Sequence, residues 1–195
     1  MEYIREIITP YGAALLLLMF VSTAAMSRIF AILADLRIQA TALDELVPHM
    51  RAAISAGNVT KAAVAAASDD SCIGRLMEAI FRNPELDARR MRLTYKVNID
   101  AELSTRLSAL IALKGLALNA LILGIVGAAG GYFFGGPEPA IALKRAVVVG
   151  AAGLVVSIYS ALFSMILHRR EVELNDFLAA EALGLIDTAT RSREE

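Results

Sequence analysis

The sequence predicts an all-α protein that crosses a membrane three times, with long helices continuing into a helical cytoplasmic domain. Three observations carry that expectation. Hydrophobic residues make up 57% of the 195-residue chain and its mean hydropathy is +0.58, beyond the roughly 45–50% apolar content of soluble domains. Three charge-free windows, Ile7–Ser27, Gly115–Phe134 and Ala146–Leu167, reach the ~20 residues that a helix needs to span ~30 Å of hydrocarbon. Outside the windows, apolar residues recur at helical spacing.

The first window could be taken for a signal peptide, and AAM loosely resembles a small-residue cleavage site. Its flank MEYIRE is not basic, however, and the run TPYGAALLLLMFVSTAAMS exceeds the usual ~7–15-residue signal core. A retained span over residues 1–33 is expected. The cytoplasmic domain, 34–106, then has LDELVPHMRAAISAG at helical spacing, ending at Gly57. Asn58 is placed to cap the Ala-rich helix that follows. SDDS (68–71) is a turn rather than a metal site, CIGRLMEAIFRN is a further short helix, and Pro84 stands near the first turn of the next, where proline fits. From there no proline occurs before Phe134. One helix is therefore expected to rise out of the domain and become the second span, 107–134.

A short outer connection, 135–145, leads to the third span, 146–168. Beyond it, Val172, Leu174, Phe177, Leu178, Ala182, Leu185 and Ile186 fall at three-to-four-residue spacing among charges. This is an amphipathic continuation over 169–195. Basic residues are enriched on the cytoplasmic side of span ends. Arg28, Arg106, Arg169 and Arg170 accordingly place the domain and the tail inside, and the N-terminus outside. Arg5, Lys144 and Arg145 are the basic residues left on the outer side.

Within the spans, small residues are ordered. Ala117, Ala120, Gly124, Gly127 and Gly131 form one stripe; Gly150, Gly153, Ser157, Ser160 and Ser164 form another. Both step by three and four, the period of a close-packed seam. Lipid tails give little hydrophobic drive between helices, so small residues are selected where backbones approach closely. Asp and Glu are absent from all three charge-free windows. Asn119 and the serine row are the main polar features of the second and third, and Asn119 is expected as an interhelical hydrogen-bonding group. Lys114 can snorkel from the inner end of the second span.

Several classes are excluded or disfavoured. Net charge is −1, so there is no bulk pull toward nucleic acid. Cys72 is the only cysteine, which rules out an intrachain disulfide and a cysteine-rich metal site. His49 and His168 are far apart with no ligand pattern. There is no phosphate-cradling loop and no clustered catalytic constellation. Neither an enzyme nor a cofactor is expected.

This arrangement resembles the MotA/TolQ/ExbB proton-channel family, and most closely its three-span ExbB/TolQ branch. AISAGNVTKAAVAAA is similar to that branch's segment of short helix, glycine and Ala-rich helix. NALILGIVGAAGG lines up with a second-span motif that reads roughly T-A-P-x-x-G-L-x-G-T-V-x-G, matching at Ala120, Gly124, Gly127 and Gly131. RAVVVGAAGLVVSIYSALFSMI lines up with E-A-L-x-A-T-A-x-G-L, matching at Ala146, Ala151, Gly153 and Leu154. The chain departs from the pattern where the family has lumenal threonines, carrying Asn119, Ala128 and Gly150. Arg145 replaces the acidic residue that opens the third span, and Leu121 replaces the proline.

The resemblance implies a homopentamer in a bacterial inner membrane around a single-span partner of the ExbD, TolR or MotB type. That partner would supply the proton-accepting aspartate. It also implies a stator or transport-energising role driven by proton-motive force. Asn119, Ala128, Gly150, Ser157 and Arg145 stand at the pore positions. The altered pore residues leave a second reading open, a non-conducting scaffold that keeps the packing without the proton path.

Overall fold

The computed structural model describes residues 10–82, 87–134 and 138–194. It contains α1 (Pro10–Ser55), α2 (Val59–Ala67), α3 (Cys72–Phe81), α4 (Ala88–Phe133) and α5 (Pro139–Glu194). No strand occurs among the described residues. Residues Ile7 to Thr9 of the first window, Arg5, Pro84 and the glycines at 135 and 136 lie outside them. The long helices α1, α4 and α5 are each extended and apolar enough to cross a membrane. The chain is thus a multi-pass membrane protein of all-α class.

It divides into two compact units. The apolar unit comprises Met1–Ile32 and Ala109–Leu167; the polar unit comprises Leu33–Ser108 and His168–Glu195.

The apolar unit has a thin core and a greasy exterior. Ala14 and Leu18 of α1, Ala120 of α4, and Val149 and Val156 of α5 are buried together. Phe20 (73% exposed), Ile125 (62%) and Met165 (70%) point outward. A water-soluble bundle would bury such side chains. Here backbone polar groups are satisfied within each helix while apolar side chains face out, the arrangement a bilayer demands. Ser22 and Tyr159 tie α1 to α5. The tyrosine hydroxyl donates to the Ser22 carbonyl (3.1 Å) and accepts from the Ser22 hydroxyl (2.8 Å).

The polar unit is built like a soluble domain. Leu43, Val47, Met50 and Ile54 of α1 recur at helical spacing and are buried. The short α3 lies among them, with Ile73, Leu76, Met77, Ile80 and Phe81 at most 2% exposed. Met91, Tyr95 and Ile99 of α4 and Leu178, Leu185 and Ile186 of α5 complete the core. Salt bridges at the surface join Arg51 to Glu181 (2.5 Å) and Arg92 to Asp187 (2.7 Å).

Local chemistry sets the boundaries. After Ser55 the chain closes a double turn, in which Gly57 N donates to Ile54 O and Asn58 N to Ala53 O (both 2.9 Å). Gly57 takes φ +74°, a left-handed conformation that favours glycine at this cap position. The Asn58 side chain then accepts from Lys61 N at 2.9 Å and starts α2. Asp69 Oδ1 accepts from Ser71 N (2.7 Å), and Ser71 Oγ caps α3 by accepting from Gly74 N (3.1 Å).

Two boundaries of the long helices have local causes. The first span and the first helix of the domain are one continuous α1, with Pro48 inside it. Pro48 is exposed, so the carbonyl whose helical bond it removes can be solvated, and the helix continues past it. In addition, Pro139–Arg145, expected within the outer connection, form the first turns of α5. Proline at the first helical position carries no N–H to leave unpaired, and the Glu138 carbonyl accepts from both Ile141 N and Ala142 N.

Candidate functional site

Two sets of residues merit attention, one in each unit. In the apolar unit the stripes of α4 and α5 meet each other in antiparallel register. A methyl placed on Gly124 would lie 2.9 Å from Gly153 Cα. One on Gly127 would meet Val149 Cγ1 (2.5 Å) and Ala14 Cβ (2.7 Å), and one on Gly131 would meet Ala146 N at 3.2 Å. Ala117, Ala120, Gly124, Gly127 and Gly131 are buried, as are Gly153, Ser160 and Ser164. Gly150 is half-buried, and a methyl added to it would stand 3.5 Å from Ala128 Cβ. Ser157 is likewise half-buried.

The pore positions therefore divide. Ala128 and Gly150 face one another at the edge of the α4–α5 seam. Arg145 sits with its guanidinium carbon 5.7 Å from the centre of the Tyr11 ring, within cation–π range. Asn119 is exposed and has no partner among the described residues. Helical geometry explains this exposure. The residue is two positions from Ala117, about 200° around the helix, and points away from the seam. Ser160 and Ser164 present the opposite case. Their hydroxyls are buried in the seam without a hydrogen-bond partner in the described residues.

The second set lies in the polar unit, and the sequence reasoning did not identify it as a site. Arg106 of α4 stands between two carboxylates. Its Nη1 donates to Glu171 Oε2 of α5 at 3.3 Å. Its Nη2 lies 3.3 Å from Asp35 Oδ2 of α1, yet is not aligned to hydrogen-bond there. The Arg106 and Glu171 side chains are 12% and 10% exposed, against 43% for Asp35. Gln39, itself buried, holds Asp35 in place. Its amide nitrogen donates to Asp35 Oδ1 (3.1 Å), and its amide oxygen accepts from Cys72 N (2.7 Å). The neighbouring Arg75 makes a forked pair with Glu102 (2.9 and 2.8 Å) and also donates to the Asp70 carbonyl.

Electrostatics separates these groups. Burial holds the Glu171 carboxyl above the usual glutamate value, with Arg106 pulling partly the other way. The hydrogen bond from Arg75 holds Glu102 below it. Burial pushes the Cys72 thiol up to about 11, which leaves it protonated and unreactive at neutral pH.

One signal in the sequence could have revealed this network. Asp35, Arg106 and Glu171 each lie within about two to three helical turns of an apolar window on the domain side, where three charges of mixed sign would meet if the three helices pack side by side. Among the described residues, no group of three or more His, Cys, Asp or Glu side chains is placed to hold a metal ion. No family model matches the chain, and no curated protein sequence matches it.

Proposed function

We propose that this chain is a subunit of an oligomeric inner-membrane complex of the MotA/TolQ/ExbB type. In this reading it is a homopentamer, oriented N-out and C-in, that surrounds a single-span partner. The complex couples proton-motive force to transport or mechanical work. One observation carries the proposal: the Asn119 amide is exposed on a spanning helix, beside Leu118, Ile122 and Val126, with no partner among the described residues. Leaving an amide unpaired in hydrocarbon costs about 4–8 kcal/mol. A neighbouring helix, from another copy or a partner, removes most of that cost.

The tight α4–α5 seam favours placing any proton path between subunits or along the partner, because backbone contact at Gly124 and Gly153 leaves no room for water between the two helices there. The second reading, a non-conducting scaffold, is favoured by Arg145. A guanidinium near the outer mouth opposes cation entry.

Native mass spectrometry of the detergent-purified full chain, alone and co-expressed with a single-span acidic partner, tests the assembly. A pentamer that takes up partner copies, followed by proton flux in liposomes that falls in Asn119→Leu, supports the energy-transducing reading. A pentamer without flux supports the scaffold. A monomer refutes both.

A further inference from the structure

The Arg106 cluster contains more negative than positive charge at its centre: one guanidinium faces two carboxylates on two different helices. The guanidinium satisfies them unequally. Nη1 is hydrogen-bonded to Glu171, whereas Nη2, also buried, hangs at 3.3 Å from Asp35 without a directed bond. Gln39 fixes Asp35 from behind and is itself fixed by Cys72 N, so Asp35 is a pre-positioned acceptor that Arg106 does not yet use fully. A small rotation of the planar fork would give Arg106 the aligned pair with Asp35 that it lacks.

We propose that Arg106 is a proton-switched arginine, bonded to Glu171 on α5 while that carboxylate is ionised and transferring to Asp35 on α1 when Glu171 takes up a proton from water. The step adds one proton to one carboxylate oxygen and breaks no covalent bond. It exchanges an α4–α5 attachment for an α4–α1 attachment, so the lower part of α4 has two discrete arrangements.

The groups facing Glu171 agree on direction. Burial raises its carboxyl, Asp35 on α1 adds to that, and Arg106 on α4 and His168 on α5 oppose it, with a net rise. Arg75 and Glu102, next to Arg106, are occupied with each other. Because the folded carboxyl titrates above its unfolded value, protonation favours the folded state. That contribution is fully present below the usual glutamate value of 4.5 and is lost as pH rises through the folded value above it. Glu102 acts oppositely: its contribution is lost as pH falls through a value below 4.5.

The test is nitrogen-15 NMR of arginine-labelled full-length protein in lipid nanodiscs, following the Arg106 side-chain signals from about pH 3 to about pH 8, a range that brackets carboxylate and histidine titration. In the wild type the signals move with a midpoint above 4.5. Glu171→Gln holds them at the low-pH position throughout. Asp35→Asn lowers the midpoint, because one of the charges raising Glu171 is gone. Signals that do not move with pH overturn the proposal, as does a titration that survives unchanged in Glu171→Gln. Should Glu171→Gln fail to fold, the Asp35→Asn midpoint decides alone: a fall supports the switch, and an unchanged midpoint overturns it.

Discussion

Adding one methyl group at each of three glycines should rank their tolerance in a fixed order. At Gly153 the new Cβ would overlap Gly124 Cα and lie 2.9 Å from the Ala120 carbonyl oxygen and 3.0 Å from Gly124 N. At Gly124 it would lie 2.9 Å from Gly153 Cα and 3.5 Å from Gly153 C. At Gly115 it would meet nothing within 4 Å. Carbon atoms pack best at about 3.5–4.0 Å, so Gly124→Ala forces the two helices apart by roughly 0.6–1.1 Å, and Gly153→Ala by more. The obstructing atoms are backbone and cannot rotate away.

Overpacking of this kind costs about 1–3 kcal/mol. Replacing a helical glycine by alanine returns up to about 1 kcal/mol where nothing obstructs it. Gly115→Ala should therefore be neutral or stabilising, Gly124→Ala destabilising by about 0–2 kcal/mol, and Gly153→Ala by about 1–3 kcal/mol or more. Equilibrium unfolding of the three variants in mixed micelles, read by circular dichroism, gives the order directly. A Gly153→Ala variant as stable as Gly115→Ala would refute the close α4–α5 contact, whatever the absolute values.

Further outcomes concern the polar unit. Ser71→Ala removes the buried cap of α3 and should cost about 1–2 kcal/mol in chemical denaturation; a change within ~0.5 kcal/mol, the range of neutral surface substitutions, would mean that the cap contributes little. Gly57→Ala forces a side chain into the left-handed conformation and should cost about 1–2 kcal/mol by the same assay; an unchanged midpoint would place the α1–α2 turn elsewhere. Cys72, with its thiol at about 11 against an ordinary 9.0, should react with maleimide at least ~100-fold more slowly in the folded protein than in the unfolded chain. Equal rates would show that Cys72 is not buried.

Much of the architecture is legible in the sequence because its causes are local. Run length without charge identifies the spans, since a bilayer admits only helices long enough to cross it. Gly57, Asn58 and the SDDS turn mark the ends of α1 and α2 because left-handed φ and capping oxygens are properties of single residues. Pro48 lies inside α1, which continues past it because proline stands on the exposed face and the buried face, Val47 and Met50, remains packed.

The sequence by itself determined the all-α class, the three spans, the small-residue stripes and the helices of the domain, because each depends on spacing along one helix. Only the tertiary structure decided which faces meet. It set Gly124 against Gly153, turned Asn119 away from that seam, and left the Ser160 and Ser164 hydroxyls buried without partners among the described residues. It also brought Asp35, Arg106 and Glu171 together from three helices. Rotation and register between helices depend on how whole surfaces interlock, and no single residue carries that information.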